Sequence, residues 1–263
     1  MIPIVVVFLC TAGCQGSEPA TLQSESQGDI SPALRTDDPA VREAMEALEQ
    51  GRPWRATQLI TPALQSPERR TPDAVLVAAT AAGHWGGWRE VERLLGDEAW
   101  IDSLFEGRAR TLLARAALDR NADTLATRHA EAAVRAAPSD RERGLRLVLL
   151  ARALDRIDAY DSSRASYARA AELLPAAGDW LELRAAGVAT DSLVRASHLA
   201  SVRHPIARER IEQSEAVARE RTGDIPGAIR AYERMGNAVP EGSKGVRPFE
   251  CEARRVVEHV QVA

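Results

Sequence analysis

The five histidines, His84, His129, His198, His204 and His259, are the first residues to test for chemistry. No two of them stand at HExxH spacing, in which imidazoles four apart on one helical face hold zinc around a glutamate base. There is no Gly-rich loop to cradle a phosphate and no GxSxG elbow to present a serine nucleophile. The three cysteines are Cys10, Cys14 and Cys251. Cys251 has basic neighbours at Arg254 and Arg255, yet no partner base stands near it in sequence. The most conspicuous local motif is "GHWGGW", which sets His84 between Gly83 and Trp85 and ends on Trp88. It reads either as a helical corner with tryptophans packed between helix pairs or as an aromatic platform for a sugar or peptide. Trp180, in "DWLELRAA", reads as a buried tryptophan opening a helix. His129 and His198 read as helix-surface residues. The expectation is therefore no catalytic residue, no metal site and no cofactor, with the ligand residues unknown.

Composition points to the elements that would have to position any site. The chain has 263 residues, of which 45% are hydrophobic, 27% charged and 4% aromatic. Ala, Leu, Arg and Glu dominate, and these are strong helix formers. The fold class expected is all-α. The formal net charge of −4 and pI near 5.8 argue against nucleic acid as the main partner. Basic residues number 34, and Lys244 is the single lysine among them. The arginines lie among glutamates along the helical stretches, as on a solvated helix face.

"GDIPGAIRAYERMGNAVP", Gly223 to Pro240, contains nothing reactive, but its spacing recurs. From Gly223, alanine stands seven back (Ala216) and five forward (Ala228), Tyr232 nine forward and Pro240 seventeen forward. Asp158 gives Ala151, Ser163, Tyr167 and Pro175. Asn121 gives Ala114, Ala126, Ala130 and Pro138. Gly86 gives Ala79, Val91 and Leu95, with no closing proline. Gly51 gives Ala44, Ala56 and Ile60, with Pro67 one residue early. The first three anchors are 35 residues apart, the next follows after 37, and the last after 65. That last gap leaves room for one degenerate unit over Gly178–Pro205. The chemistry of each position is plain. Alanine lets two helices approach closely. Gly, Asn or Asp accepts a left-handed turn at small cost. A large residue nine on fills the space between neighbouring units, and proline stops the second helix. The unit without its proline predicts an irregular connection over "GDEAWIDSLF" (96–105).

This pattern resembles the tetratricopeptide repeat (TPR), a helix–turn–helix of about 34 residues. The resemblance covers residues 37–240. It implies a right-handed α-solenoid of about six TPR-like helical hairpins, with a concave and a convex face. In that register Ala44, Ala79, Ala114, Ala151, Ala216, Tyr167 and Tyr232 are repeat-packing residues.

The N-terminus has a separate meaning. "MIPIVVVFLCTAGC" has an apolar run, Ile2 to Ala12, too short for a bilayer span of about 20 residues. It suits the core of an export signal. Thr11-Ala12-Gly13-Cys14 resembles a bacterial lipobox, with Thr11 where an aliphatic residue is usual. The resemblance implies a signal peptide over 1–13 and a lipidated Cys14 as the mature N-terminus. It further implies a chain held on a membrane facing the periplasm, and Gln15 after the cysteine favours the outer membrane. Cys10 would then be lost with the signal and Cys14 acylated. Cys251 alone would remain, and no internal disulfide could form. Residues 14–36, rich in Ser, Gln, Glu and Pro, read as a flexible tether. Residues 241–263 read either as an atypical C-terminal cap or as the product of truncation or frameshift in a longer gene.

A further resemblance joins these parts. The lipoprotein signal, the Ala/Arg-rich helical units, "DWLELRAA" (179–186) and "RERTGDIPGAIRAYERMG" (219–236) together are similar to the superhelical region of soluble lytic murein transglycosylases. The catalytic domain of that family carries a glutamate–serine–aromatic motif, whose glutamate is the acid/base in glycosidic cleavage. The nearest match here, Glu25-Ser26-Gln27, lacks the aromatic and lies in the tether, so no catalytic role carries over. The resulting expectation is a non-catalytic envelope scaffold that binds a protein or peptidoglycan. Two alternatives stand beside it: a truncated superhelical part of a lytic transglycosylase, or an assembly lipoprotein for outer-membrane proteins. Oligomeric state is left open.

Overall fold

The computed structural model describes residues 37–208 and 210–237, and every regular element among them is helical. The chain is all-α. The signal segment 1–13, Cys14, the tether, His259, Pro240, Cys251 and the tail 241–263 lie outside the described residues. The helices are α1 (Pro39–Glu49), α2 (Pro53–Gln65), α3 (Pro72–His84), α4 (Trp88–Leu95), α5 (Arg108–Asp119), α6 (Asp123–Arg135), α7 (Asp140–Arg156), α8 (Tyr160–Leu173), α9 (Gly178–Val188), α10 (Ser192–Ser201), α11 (Pro205–Arg208), α12 (Ile211–Arg221) and α13 (Ile225–Asn237). Short 3-10 turns at Phe105–Gly107 and Pro175–Ala177 precede α5 and α9.

Five of these helices end in the same way. Gly51, Gly86, Asn121, Asp158 and Gly223 follow α1, α3, α5, α7 and α12 with φ of 67, 81, 58, 58 and 78°. Each anchor's N–H donates to the carbonyl three residues back, as Gly51 does to Leu48 at 2.9 Å and Asp158 to Asp155 at 3.2 Å. The following N–H reaches five back, as Arg52 does to Ala47 at 2.8 Å and Ala159 to Leu154 at 3.0 Å. This pair of bonds is the Schellman closure, which satisfies carbonyls that the helix end would otherwise orphan. Glycine takes the left-handed turn freely; Asn121 and Asp158 belong to the two residue types that tolerate it best.

Burial follows the same register. Ala44, Ala79, Ala114, Ala151 and Ala216, seven before each turn, are all 0% exposed. So are Ala56, Val91, Ala126, Ser163 and Ala228, five after it. Nine after, Ile60, Leu95 and Ala130 are 0% exposed, and Tyr167 and Tyr232 are each 4% exposed. Ser163 is polar at an otherwise apolar position, and its hydroxyl donates to the Ala151 carbonyl across the helix pair at 2.9 Å. That bond removes the cost of burying it.

Packing is sequential. From α1 to α9 each helix lies against the next, α1 also touches α3, α3 touches α5, and α5 touches α7. α9 packs on α8, α10 and α12, and α12 packs on α13. α9 and α10 fill the 65-residue gap without a left-handed turn. Instead Ala189 is extended and Asp191 caps α10, accepting from the N–H groups of Leu193 and Val194 at 2.8 and 2.9 Å.

The unit without a closing proline continues into turns over Gly96–Leu104 and three successive residues of positive φ: Phe105 (57°), Glu106 (52°) and Gly107 (77°). Arg146 of α7, only 2% exposed, pins this segment. Its guanidinium donates to the Glu106 and Ala133 carbonyls at 2.6 and 2.8 Å. A Cβ on Gly107 would lie 2.8 Å from the Ala136 methyl, so this turn needs glycine for space as well as for φ.

Two outcomes are expected. Tyr167→Ala and Tyr232→Ala each lower unfolding free energy by about 3–5 kcal/mol, as large aromatic truncations in cores do; chemical denaturation measures it, and two neutral variants would contradict this packing. Asp38, the cap of α1, takes a bidentate bond from Arg69 at 2.8 and 2.9 Å, and this lowers its carboxyl from an ordinary 3.8 to about 2. A depressed carboxyl stabilises the fold above its unfolded pKa and loses that contribution as pH falls through the folded one. Asp38→Asn keeps a capping side chain but does not titrate. Its deficit in melting temperature at pH 6 should therefore shrink between about pH 4 and pH 2. A deficit constant with pH would contradict the ion pair.

Candidate functional site

Three helices present matching stripes to one groove of about 670 Å³. α7 contributes Val148, Arg152, Asp155 and Arg156, spaced four, three and one apart, so that all lie on one helical face. α9 contributes Trp180, Arg184, Gly187 and Val188 at the same kind of spacing, and α12 contributes Gln213, Ser214, Val217 and Arg221. Arg210, just before α12, and Tyr167 of α8 complete the wall.

α9 and α12 meet at small residues, Gly187 and Ser214. A Cβ on Gly187 would stand 3.5 Å from the Ser214 hydroxyl oxygen, and that hydroxyl donates to the Leu183 carbonyl at 2.7 Å. The groove's far end is closed by an ion pair between residues 66 apart: Arg221 of α12 binds both oxygens of Asp155 on α7, at 2.5 and 3.0 Å. Arg221 also stands 5.5 Å over the Tyr160 ring, within cation–π range. Arg156 is tied to Asp123 at 2.6 Å and also to the Asn121 side chain.

The other three arginines differ. Among the described residues no carboxylate pairs with Arg152, Arg184 or Arg210. The groove thus holds five guanidinium groups against one aspartate, on a chain whose net charge is −4. Tyr167 is 4% exposed and lines the groove, with a hydroxyl that makes no hydrogen bond among the described residues and is not sealed from solvent. Burial pushes this phenol above the usual tyrosine range, and the nearby Arg184, Arg152 and Arg221 work against that rise. The phenol therefore stays protonated at neutral pH and is available as a donor. The arrangement can bind anionic groups over an apolar floor of Val148, Leu181 and Val217.

Several sequence readings are corrected here. Trp180 is not buried: it is 43% exposed at the groove's edge. Placement in the first turn of α9 turns its indole toward the space between helices rather than into the core. His129 and His198 are partly buried and bonded rather than free on a surface. His129 Nδ1 lies 2.9 Å from an Arg110 nitrogen, and burial, with Arg110 beside it, lowers its pKa. His198 Nδ1 lies 2.7 Å from Glu182. "GHWGGW" divides between its two readings. Trp88 packs inward, with its ring 3.2 Å from where a Gly83 Cβ would stand. Trp85 stays 42% exposed, donates to the Thr57 hydroxyl at 3.1 Å and meets Trp54 edge-on at 5.8 Å. The packing residues Ala44, Ala79, Ala114, Ala151, Ala216 and Tyr232 lie outside the groove, whereas Tyr167 both packs and faces it.

Among the described residues no cluster of His, Cys, Asp and Glu is placed to hold a metal ion, and no helix is long and apolar enough to cross a membrane. No protein-family model matches the chain, and no curated protein matches it in sequence.

The sequence reading missed the groove arginines because each resembles any other arginine on a solvated face. The one local signal was Arg152 and Arg156 four apart, with Arg184 a unit later. Tyr167→Phe removes a hydroxyl that makes no hydrogen bond among the described residues. It should leave stability within about 0.5 kcal/mol of the parent, in contrast to Tyr167→Ala; a phenylalanine variant as damaging as alanine in thermal melts would mean that the hydroxyl is bonded inside the fold.

Proposed function

We propose that this chain is a non-catalytic binding scaffold of the bacterial cell envelope. In this reading it is a right-handed α-solenoid of about six TPR-like hairpins, and lipidated Cys14 anchors it to a membrane, facing the periplasm. It docks peptidoglycan or an envelope protein on the concave side, with no nucleic acid and no cofactor involved. The observation that carries the reading is the groove of α7, α9 and α12, where first helices of successive units line one concavity with five guanidinium groups, three of them without a carboxylate partner among the described residues. Support for the repeat register comes from the shared closure of five helix ends and the burial of small residues at fixed distances from each.

One observation favours the reading of the superhelical part of a lytic transglycosylase. The two stretches similar to that family, 179–186 and 219–236, supply Trp180, Arg184 and Arg221 to the same groove. On either reading peptidoglycan is the first partner to test. Role as an assembly lipoprotein for outer-membrane proteins remains the third proposal and predicts a protein partner instead.

The test is sedimentation of the purified chain with insoluble peptidoglycan sacculi, followed by an assay for released anhydro-muropeptides. Binding without release is the expected result. No binding would remove peptidoglycan and leave a protein-binding scaffold; release of muropeptides would overturn the non-catalytic assignment.

A further inference from the structure

We propose that the groove of α7, α9 and α12 binds an extended acidic protein segment, reading carboxylates spaced along the segment and an apolar side chain between them. The proposal rests on the scaffold reading with an envelope protein as the groove's partner, and names the chemistry of that partner.

Three observations carry it. Arg152, Arg184 and Arg210 come from three separate elements and face one groove without a carboxylate partner among the described residues. Guanidinium groups are planar forks suited to carboxylates, and they bind best where water is partly excluded. The Tyr167 hydroxyl is a second and independent sign. It belongs to a side chain 4% exposed, it lines the groove, and it has no partner among the described residues. The hydroxyl is not sealed from solvent, so a ligand oxygen entering the groove takes the bond that water otherwise makes. Third, the floor beneath the arginines is apolar and Trp180 stands exposed at the rim, so a ligand made of charge alone would leave half of the groove unused.

These features favour a peptide over other anions. A nucleic acid strand would extend beyond the groove over a chain of net charge −4 and would meet one exposed indole rather than a row of stacking rings. Inorganic phosphate would engage the arginines but not the floor. A single terminal carboxylate would use one fork, whereas the three free arginines are distributed over α7, α9 and the start of α12. The side chains of an acidic segment with interspersed apolar residues meet all three elements. The volume, about 670 Å³, is that of an ordinary ligand pocket and holds a few residues of such a segment.

Fluorescence anisotropy on the full chain tests this with a labelled decapeptide of alternating Glu and Leu. Expected is saturable binding that weakens with added salt, weakens about tenfold or more when Glu is replaced by Gln, and is unchanged when the peptide's C-terminus is amidated. Arg152→Glu with Arg184→Glu should abolish it, while Arg141→Glu, on α7 outside the groove, should retain it; circular dichroism melts verify that both variants fold. Tyr167→Phe, which keeps the packing ring, should weaken binding several-fold. Equal binding of the Gln peptide would overturn the proposal, as would loss on amidation, tighter binding of oligothymidylate, or full binding by the double variant. Displacement of the peptide by soluble muropeptides at lower concentration than by unlabelled peptide would also overturn it, assigning the groove to peptidoglycan stems. The two readings fail separately. Sacculus binding by a chain that fails to bind the acidic peptide leaves the scaffold standing without this ligand, and muropeptide release alongside peptide binding leaves the ligand standing without the non-catalytic assignment.

Discussion

Two helices can lie against each other only as closely as the side chains between them permit, and in this protein single methyl groups set that limit. Ala44, Ala79, Ala114, Ala151 and Ala216 on the leading helices are fully buried, as are Ala56, Ala126 and Ala228 on the trailing ones. Alanine contributes little transfer free energy by itself. Its value lies in the approach it allows, which brings long stretches of backbone and Cβ into dispersion contact. Everything larger is placed by that approach. Ile60, Leu95 and Tyr167 occupy the wider space a turn further on, where each pair meets the next, and Tyr232 packs within the last described pair. Glycine takes the constraint further where even a methyl is too much: a Cβ at Gly144 would stand 2.7 Å from Leu174 Cγ.

The same closeness explains how charge is distributed. On outward faces, arginines pair with acids three or four residues away in the same helix, such as Arg93 with Glu90 and Arg143 with Asp140. Such exposed pairs contribute little to stability, about 0–1 kcal/mol each. Arginines that reach between helices have different partners. Arg146 serves backbone carbonyls and stabilises an otherwise irregular connection. Arg221 takes Asp155 across the groove and sets the spacing of its walls. Arg152, Arg184 and Arg210 are left over because the facing helices offer arginine, tryptophan and aliphatic side chains in place of carboxylates. Two of the five groove arginines, Arg156 and Arg221, are thus paired with carboxylates, and among the described residues the other three are not.

Much of the fold was legible in the chain because its determinants are local. The turn residues Gly51, Gly86, Asn121, Asp158 and Gly223, and the small residues seven before and five after each, act within one pair of helices. A spacing in sequence is then a spacing in space. Even the irregular stretch 96–107 was marked by the missing proline, although its anchor, Arg146, lies 40 residues from Glu106 and could not be found by counting. The degenerate unit over Gly178–Pro205 was placed by length alone, and the extended Ala189 that replaces a left-handed turn there had no sequence mark.

The candidate site was not legible, for the converse reason. Trp180 looked like a core residue because a lone tryptophan in an apolar helix usually is one; whether it faces inward depends on how α9 rotates against α8 and α12. The groove arginines looked like surface arginines because their distinguishing property, convergence on one groove, depends on helices far apart in sequence. The sequence by itself determined the helical class, the positions of the turns and the small residues at which helices touch, since these follow from backbone conformation and side-chain volume over a few residues. Only the tertiary structure decided which faces of α7, α9 and α12 share one groove, and so gathered guanidinium groups from three elements around the Tyr167 phenol, because charge pairing and burial are properties of residues brought together across the fold.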